Sequence, residues 1–345
     1  MPSKITESIS RALRDNRVSI SEMGSLIREA KSQPLTAETK AELTNLLNLH
    51  ADKFGSTAAR DLRTYLSTAN ITGTTTTPTT PTVTPPPTPA ITNPSIADPA
   101  VLTKHTTDTT WKPVEGGKLF VDGVSYDDVV QGSIGDCYLV SALSAVAQTN
   151  PKAIENAIKD NGDGTYTVRF YEKNSTKQVE IKIDGDVAQS ATGSQRYGKS
   201  RDSKELWVGL IEKAYAQWKG GYEAIGNGGY PGEVIQALTG RSTSYSSNSY
   251  ADSTFAKIQR GGQNGKPMTA VTYGKDSGVD YNGTGVYAWH AYTVLGATEE
   301  AGQKYVQLRN PWGSSEHGND GKNDGIFKMK LEDFSRLYQG VDVGN

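Results

Sequence analysis

Apolar positions in the first 68 residues recur at helical spacing. Ile5, Ile9 and Leu13 fall four residues apart on one face. Ser19 and Glu22 form an S-x-x-E capping box ahead of a stripe of Met23, Leu26, Ile27 and Ala30, and Pro34 stops that helix. Thr36 is placed to cap a further helix with Leu43, Leu46, Leu47 and Phe54 on its stripe, and Ala58, Leu62, Tyr65 and Leu66 continue the pattern. The expectation is a small all-α bundle over residues 1–68. His50 lies on an apolar side, where a packed core histidine is the expectation. A calcium loop does not fit: with Ile20 at the eighth loop position, the first falls on Leu13 and the twelfth on Gly24.

The pattern then lapses. Residues 71–90 contain ten threonines and six prolines. Such a stretch cannot bury a core and is expected to be an extended, semi-rigid spacer. A linker is therefore expected over 69–110, with residues 91–110 continuing the connection.

From 111 onward the pattern is globular. Two glycines precede an apolar run in which Leu139, Val140, Leu143 and Val146 share a helix face, starting near Cys137 and limited by Pro151. Residues 205–218 predict a second helix, with Leu206, Leu210, Ala214 and Trp218 along one side. Between them, GTYTVRFYE and KQVEIKIDGDV alternate like the two strands of a hairpin. The later runs KPMTAVTYG, HAYTVLGATE, QKYVQLRNPWG and GIFKMKLEDF predict strands. Helices followed by strands predict an α+β fold with two lobes over 111–340, a helical lobe at 111–235 and a β-rich lobe at 236–340.

Charge and composition narrow the function classes. A net charge of −2 and a pI near 6.1 leave no electrostatic footprint for nucleic acid or an anionic membrane. The hydrophobic content of 35% agrees with a chain partly unpacked. The start, MPSKITESIS, has no apolar core of a signal peptide, and no stretch has the length of a membrane span. These features predict a soluble, cytoplasmic protein, and export by a route without a cleavable signal is compatible with the same sequence.

Cys137 is the single cysteine, so no intramolecular disulfide forms. Most single cysteines are small buried hydrophobes. Here the sequence Gln131-Gly-Ser-Ile-Gly135-Asp136-Cys137 puts the thiol at the start of an apolar helix, where free N–H groups favour thiolate. A thiolate needs a base. Of four histidines, His50 lies in the bundle, His105 in the connecting segment and His317 in a polar glycine-rich loop. His290 opens an apolar strand that would hold its ring rigidly, which makes it the better base. Asn310 ends the next apolar run, in Leu308-Arg309-Asn310-Pro311-Trp312-Gly313, where an adjacent strand would bring its amide to the imidazole; taken alone, N-P-W-G is also simply a turn. The order Cys, His, Asn is that of papain-like proteases.

With these residues in place the chain resembles the calpains, calcium-dependent cysteine proteases. QGSIGDCYL resembles their nucleophile motif, ELWVGLIEKAYAQWKGGYEAIGNGG a helical block of the first lobe, WHAYTVLGA the histidine block, and LRNPWG followed by DGIFKMKLEDF the asparagine block and closing strand. Together they cover about residues 118–340. The resemblance implies a papain-like core with Cys137, His290 and Asn310 as catalytic residues. It further implies Gln131 as an oxyanion-hole donor beside the Cys137 backbone N–H, and Trp312 as a shield over the Asn310–His290 bond. Tyr138 stands where the family has a tryptophan. Calcium is the implied cofactor: Val121, Gly123, Asp128 and Glu205 match a first site, and Glu316, Asp320 and Asp324 match a second. Ile326 stands where the family pattern has an acid, which puts the second site below full strength.

The implied reaction is hydrolysis of protein substrates through a thioester acyl-enzyme. The bundle outside the resemblance suggests a pro-region or docking module, joined by a linker that the enzyme itself would cut. Two other classes compete: a catalytically weak calpain-like binding or regulatory protein, which loss of a triad residue would favour, and a papain-like acyl transferase of the transglutaminase type, whose orienting residue is usually aspartate.

Overall fold

The computed structural model describes residues 96–318 and 320–345. The expected bundle at 1–68 and the Thr/Pro-rich spacer lie outside the described residues. Within them the elements run β1 (Thr109–Pro113), β2 (Val129–Val130), α1 (Cys137–Thr149), α2 (Pro151–Ala157), β3 (Ile158–Asp160), β4 (Thr165–Tyr171), β5 (Gln178–Asp184), β6 (Asp186–Ser190), β7 (Lys199–Ser200), α3 (Trp207–Lys219), α4 (Tyr222–Ile225) and α5 (Pro231–Thr239). They continue with β8 (Thr243–Ser247), α6 (Ala251–Gln263), β9 (Met268–Thr272), β10 (Ala291–Glu300), β11 (Gln303–Arg309), β12 (Ile326–Lys330), α7 (Leu331–Leu337) and β13 (Tyr338–Gly344). The fold is mixed α/β.

Two hydrophobic cores organise these elements. The first gathers Val140, Leu143 and Val146 of α1, Leu210 and Ile211 of α3, Val234 and Ile235 of α5, and Val168 and Phe170 of β4. α1 is buried on nearly every side from Tyr138 to Ala147, so its small and aliphatic residues suit a central helix better than an amphipathic one. Each fully buried Val or Leu there contributes about 1.5–3 kcal/mol. Gly220 and Gly240, both in the left-handed region, terminate α3 and α5. The β4–β5 hairpin pairs as the alternation predicts.

The second core lies on a six-stranded antiparallel sheet of order β12-β11-β10-β9-β13-β8. Tyr292 and Val294 of β10, Val306 and Leu308 of β11, Phe327 and Met329 of β12, Val341 of β13, Ile258 of α6 and Phe334 of α7 fill it.

Specific bonds stitch the cores together. The Thr293 hydroxyl of β10 donates to the Ser141 carbonyl of α1 at 2.9 Å, and the Gln148 amide donates to the Leu295 carbonyl at 3.0 Å. Arg309, at the end of β11, donates to the carbonyls of Val129 at 2.6 Å and Asp127 at 3.2 Å. The Gln131 N–H donates to the Pro311 carbonyl at 2.9 Å. The start of α1 is thereby held in register with the ends of two strands.

Several expectations change. The packed region begins before residue 111: the Ile96 N–H donates to Asp184, Leu102 and His105 are buried, and β1 pairs with β6. Apolar residues are sparse in that segment, so its packing was not readable from periodicity. Pro151 does not merely limit α1; it opens α2, with the Asn150 side chain capping Ala153. The expected strand GIFKMKLEDF is strand only to Lys330 and then turns into α7. The region expected to be strands also contains α6, and the packed chain continues past 340 through β13. No described helix is long and apolar enough to cross a membrane.

Candidate active site

Cys137 is the first residue of α1. Gly132 and Gly135 lead into it, and both are required by close approach. A Cβ at Gly132 would meet the backbone around Arg196 and Tyr197 at 2.4 Å, and one at Gly135 would meet the Gly226 carbonyl at the same distance. Burial pushes the Cys137 thiol up to about 11; the Ala291 backbone N–H beside it pulls the other way, and the Asp136 carboxylate adds to the rise. The thiolate bias expected from the helix N-terminus is thus outweighed by burial. Alkylation of the calcium-free protein by iodoacetamide is expected to accelerate steadily up to about pH 10, because the thiolate fraction keeps growing towards about 11. A rate plateau below about pH 9 would contradict this assignment.

His290 immediately precedes β10, next to the residue whose N–H touches the thiol. Its backbone is clamped by Thr272, whose hydroxyl lies 2.9 Å from the His290 N–H and whose own N–H donates to the His290 carbonyl. The chain turns into this position through Trp289 at a φ of 57°. Nε2 of His290 lies 3.0 Å from Oδ1 of Asn310. The Asn310 amide is fixed in orientation because its Nδ2 donates to the Ser315 carbonyl and its Oδ1 accepts the Trp312 N–H. An accepting Oδ1 makes Nε2 the protonated nitrogen of the neutral imidazole, which leaves Nδ1 with a lone pair for an incoming proton. Burial brings His290 down to about 4 despite the bond to Asn310, so the ring is neutral at physiological pH. The Trp312 ring lies 4.8 Å from the imidazole, backed by Tyr287 at 4.4 Å. A covered, low-dielectric bond of this kind holds its geometry better than one open to water.

Cys137 and His290 line the same cleft, a space of about 900 Å³ that also takes in Tyr138, Gly229, Glu233, Trp289 and Asp342. The Tyr138 ring packs closely on Gly229, where a Cβ would meet it at 2.6 Å. Gln131 sits just before the glycine turn. Its Nε2 donates to the Ile134 carbonyl at 2.7 Å and its Oε1 is buried without a partner. One N–H of that amide is therefore already engaged.

Of the acidic positions, Asp128 and Glu205 come together. Burial raises each to about 7; the Asp127 carboxylate adds to the rise at Asp128, and the Asp128 carboxylate adds to the rise at Glu205. The Val121 N–H donates to Glu205 at 2.7 Å, and Asp122 and Gly123 both lie in the left-handed region in the intervening loop. Two largely buried carboxyls, offset only weakly by the Arg309 guanidinium acting on Asp128, next to the Val121–Gly123 loop, fit a hard oxygen-seeking ion. Among the described residues no three His, Cys, Asp or Glu side chains converge as a metal site, so backbone oxygens such as those of Val121 and Gly123 would have to complete the shell. Glu316, Asp320 and Asp324 do not converge. Each accepts a backbone N–H in its own loop, from Gly325, Lys322 and Ile326 respectively. That set does not fit a cation. His317 is bonded to the Thr284 carbonyl and His105 to the Tyr197 hydroxyl, both away from the cleft.

Two features escaped the sequence reading. Arg309 ties the strand carrying Asn310 to the segment before Gln131; its signal was a cation interrupting an apolar run. Asp136 and Glu212 form a fully buried carboxyl pair under Cys137, and nothing in their spacing announces it.

The profile described as calpain family cysteine protease matches residues 92–321. Among curated relatives, the calpain-type cysteine protease DEK1 of Zea mays is 32% identical over 259 residues, covering 65% of this chain and 12% of that protein. A thiol protease of Porphyromonas gingivalis is 32% identical over 253 residues, covering 60% and 52%. The calpain-2 catalytic subunit of Rattus norvegicus is 28% identical over 265 residues, covering 66% and 37%. The chain thus spans 12% of the plant protein's length and 52% of the bacterial one's.

Proposed function

The chain belongs to the calpain family of cysteine proteases, and on that premise we propose that it is an endopeptidase that hydrolyses protein substrates through a thioester on Cys137. The observation that carries this reading is the His290–Asn310 bond beneath Trp312, in the wall of the cleft that Cys137 shares. Cys137 attacks the peptide carbonyl while Nδ1 of His290 takes the thiol proton. His290 returns that proton to the leaving amine and then activates water on the thioester. The oxyanion is held by the Cys137 backbone N–H and by the remaining N–H of Gln131. The two cores are read as the two lobes of a papain-like protease. Incubating the chain with casein in calcium and in chelator, beside Cys137→Ala, tests the reading. Cleavage lost in the variant supports it, and equal cleavage by the variant sinks it.

Calcium is proposed as the cofactor of the first site alone. Asp128 and Glu205, with carbonyls of the Val121–Gly123 loop, would hold it, and it would supply positive charge that draws the loop and α3 together. Both carboxyls sit higher in the folded chain than their ordinary values, so the folded state binds more protons than the unfolded one. The stability this contributes is complete below about pH 4 and is lost as pH rises through about 7. In chelator, Tm is therefore expected to fall across that window. Added calcium should raise Tm far more at pH 8 than at pH 5, where protons compete, and Asp128→Asn combined with Glu205→Gln should abolish the response. A calcium shift independent of pH, measured by scanning calorimetry, would refute the assignment.

We also propose self-cleavage in the Thr/Pro-rich linker. Residues from Ile96 to Pro113 are tied to the folded chain by the Asp184, Lys213 and β6 contacts, so the cut is expected before Ile96.

A further inference from the structure

Beneath the nucleophile lie two carboxyl groups that the proposed reaction does not use. Asp136, the residue before Cys137, and Glu212, in the middle of α3, are both 0% exposed. Each is a hydrogen-bonding neighbour of the other. The Gly198 N–H donates to both Glu212 oxygens at 2.9 Å, and the Tyr222 hydroxyl bonds to the same carboxyl. Gly198 comes so near that a Cβ there would meet Glu212 Oε1 at 2.6 Å. Tyr197 also faces Glu212, and the Gln131 amide and the Cys137 thiol face Asp136.

No cation offsets this pair. Among the described residues no Lys, Arg or His forms an ion pair with either group, and the nearest cation along α3, Lys213, is engaged by Asp98 at 2.5 Å and Asp184 at 2.6 Å. Neither Asp136 oxygen receives a well-aligned N–H or O–H donor. Two buried charges here would repel with nothing to balance them. A proton held between the carboxyls removes the repulsion and supplies the missing donor.

We propose that Asp136 and Glu212 share one proton, and that the shared proton fixes the two oxyanion-binding donors beside Cys137. The pair is a positioning device for the peptidase reaction and rests on that reading. Its reach follows from the geometry. Asp136 caps α1, its carbonyl accepting the N–H groups of Leu139 at 2.8 Å and Val140 at 3.2 Å. The peptide after it carries the Cys137 N–H, and its carboxyl touches the Gln131 amide. A shift of this one side chain displaces both donors.

Infrared spectroscopy and kinetics on the full chain test the proposal together. At neutral pH the wild-type-minus-Glu212→Gln difference spectrum should contain the carbonyl stretch of a protonated carboxylic acid. Asp128 and Glu205, which also hold protons near neutrality, cancel in that difference. Glu212→Gln and Asp136→Asn keep a bond across the pair, so kcat on a peptide substrate should stay within about threefold of wild type. Glu212→Leu keeps the bulk but no bond, and kcat should fall about 10²-fold with KM unchanged. If Glu212→Leu fails to fold, the infrared difference and the two bond-keeping variants still decide the matter. An absent acid band overturns the shared proton, even in a chain that cleaves peptides. Equal kcat in the Leu and Gln variants, or a loss in Gln as large as in Leu, overturns the positioning role. An acid band in a chain that cleaves nothing overturns the peptidase reading and the role built on it, while leaving the proton assigned.

Discussion

Cys137→Ala is expected to lower kcat for peptide cleavage by at least about 10⁴-fold, and His290→Ala by a similar factor. Cys137 is the only thiol in the chain, so no other side chain can form the thioester. Without His290 the thiol keeps its proton, because burial holds it near 11. The two residues act as a unit. The double variant should therefore be no worse than either single one, a non-additivity that separates a shared chemical step from two independent structural losses. Circular dichroism should show both variants folded, since neither side chain carries a stitch between the cores. A residual kcat within tenfold of wild type in either variant would remove these residues from the chemistry.

Arg309→Leu is expected to produce the largest stability loss of any single change near the site, about 3–5 kcal/mol. The side chain is 0% exposed and carries its charge across from the sheet to the carbonyls of Val129 and Asp127. Leucine would take this donor from the buried Val129 carbonyl, while the Asp127 carbonyl keeps its bond from Arg201. Burial already lowers the guanidinium to about 10, a sign of how little solvent reaches it. The loss should appear as a fall in Tm on the order of 10 °C. Activity of the remaining folded protein should also drop, because Arg309 directly precedes Asn310 and its bonds end two residues before Gln131. Arg309→Lys, which retains charge and one donor, should fall in between. An unchanged Tm in Arg309→Leu would show that the cores are held together without it.

The sequence exposed the local parts of this account well. Apolar alternation marked the β4–β5 hairpin, and the glycine-flanked apolar run marked α1 with Cys137 at its start. The order of Cys137, His290 and Asn310 was legible because each sits at one end of an apolar element, the first two at a start and the third after an end, and the structure places the last two 3.0 Å apart. What stayed hidden depends on contacts distant in sequence. The packing of Leu102 and His105 rests on partners about ninety residues later, such as Tyr197, and no local period encodes that. The helix at Leu331–Leu337 follows a strand without a break, so its charged residues read as the tail of the strand. The high thiol value at Cys137 reflects burial, which outweighs the helix terminus that the sequence does reveal. The three acids at 316–324 share a loop and a family pattern, yet each is drawn to a neighbouring backbone N–H instead of to a common centre.

Trapping the acyl group on Cys137 is the most direct measurement. The chain would be mixed in calcium with a peptide ester, acid-quenched within the first turnover, and digested for mass spectrometry. An acyl adduct is expected on the peptide containing Cys137, absent in Cys137→Ala and accumulating in His290→Ala only at alkaline pH, where the thiol ionises unaided. Hydrolysis of the ester with no adduct on Cys137, or with an adduct on another residue, would contradict the role of Cys137.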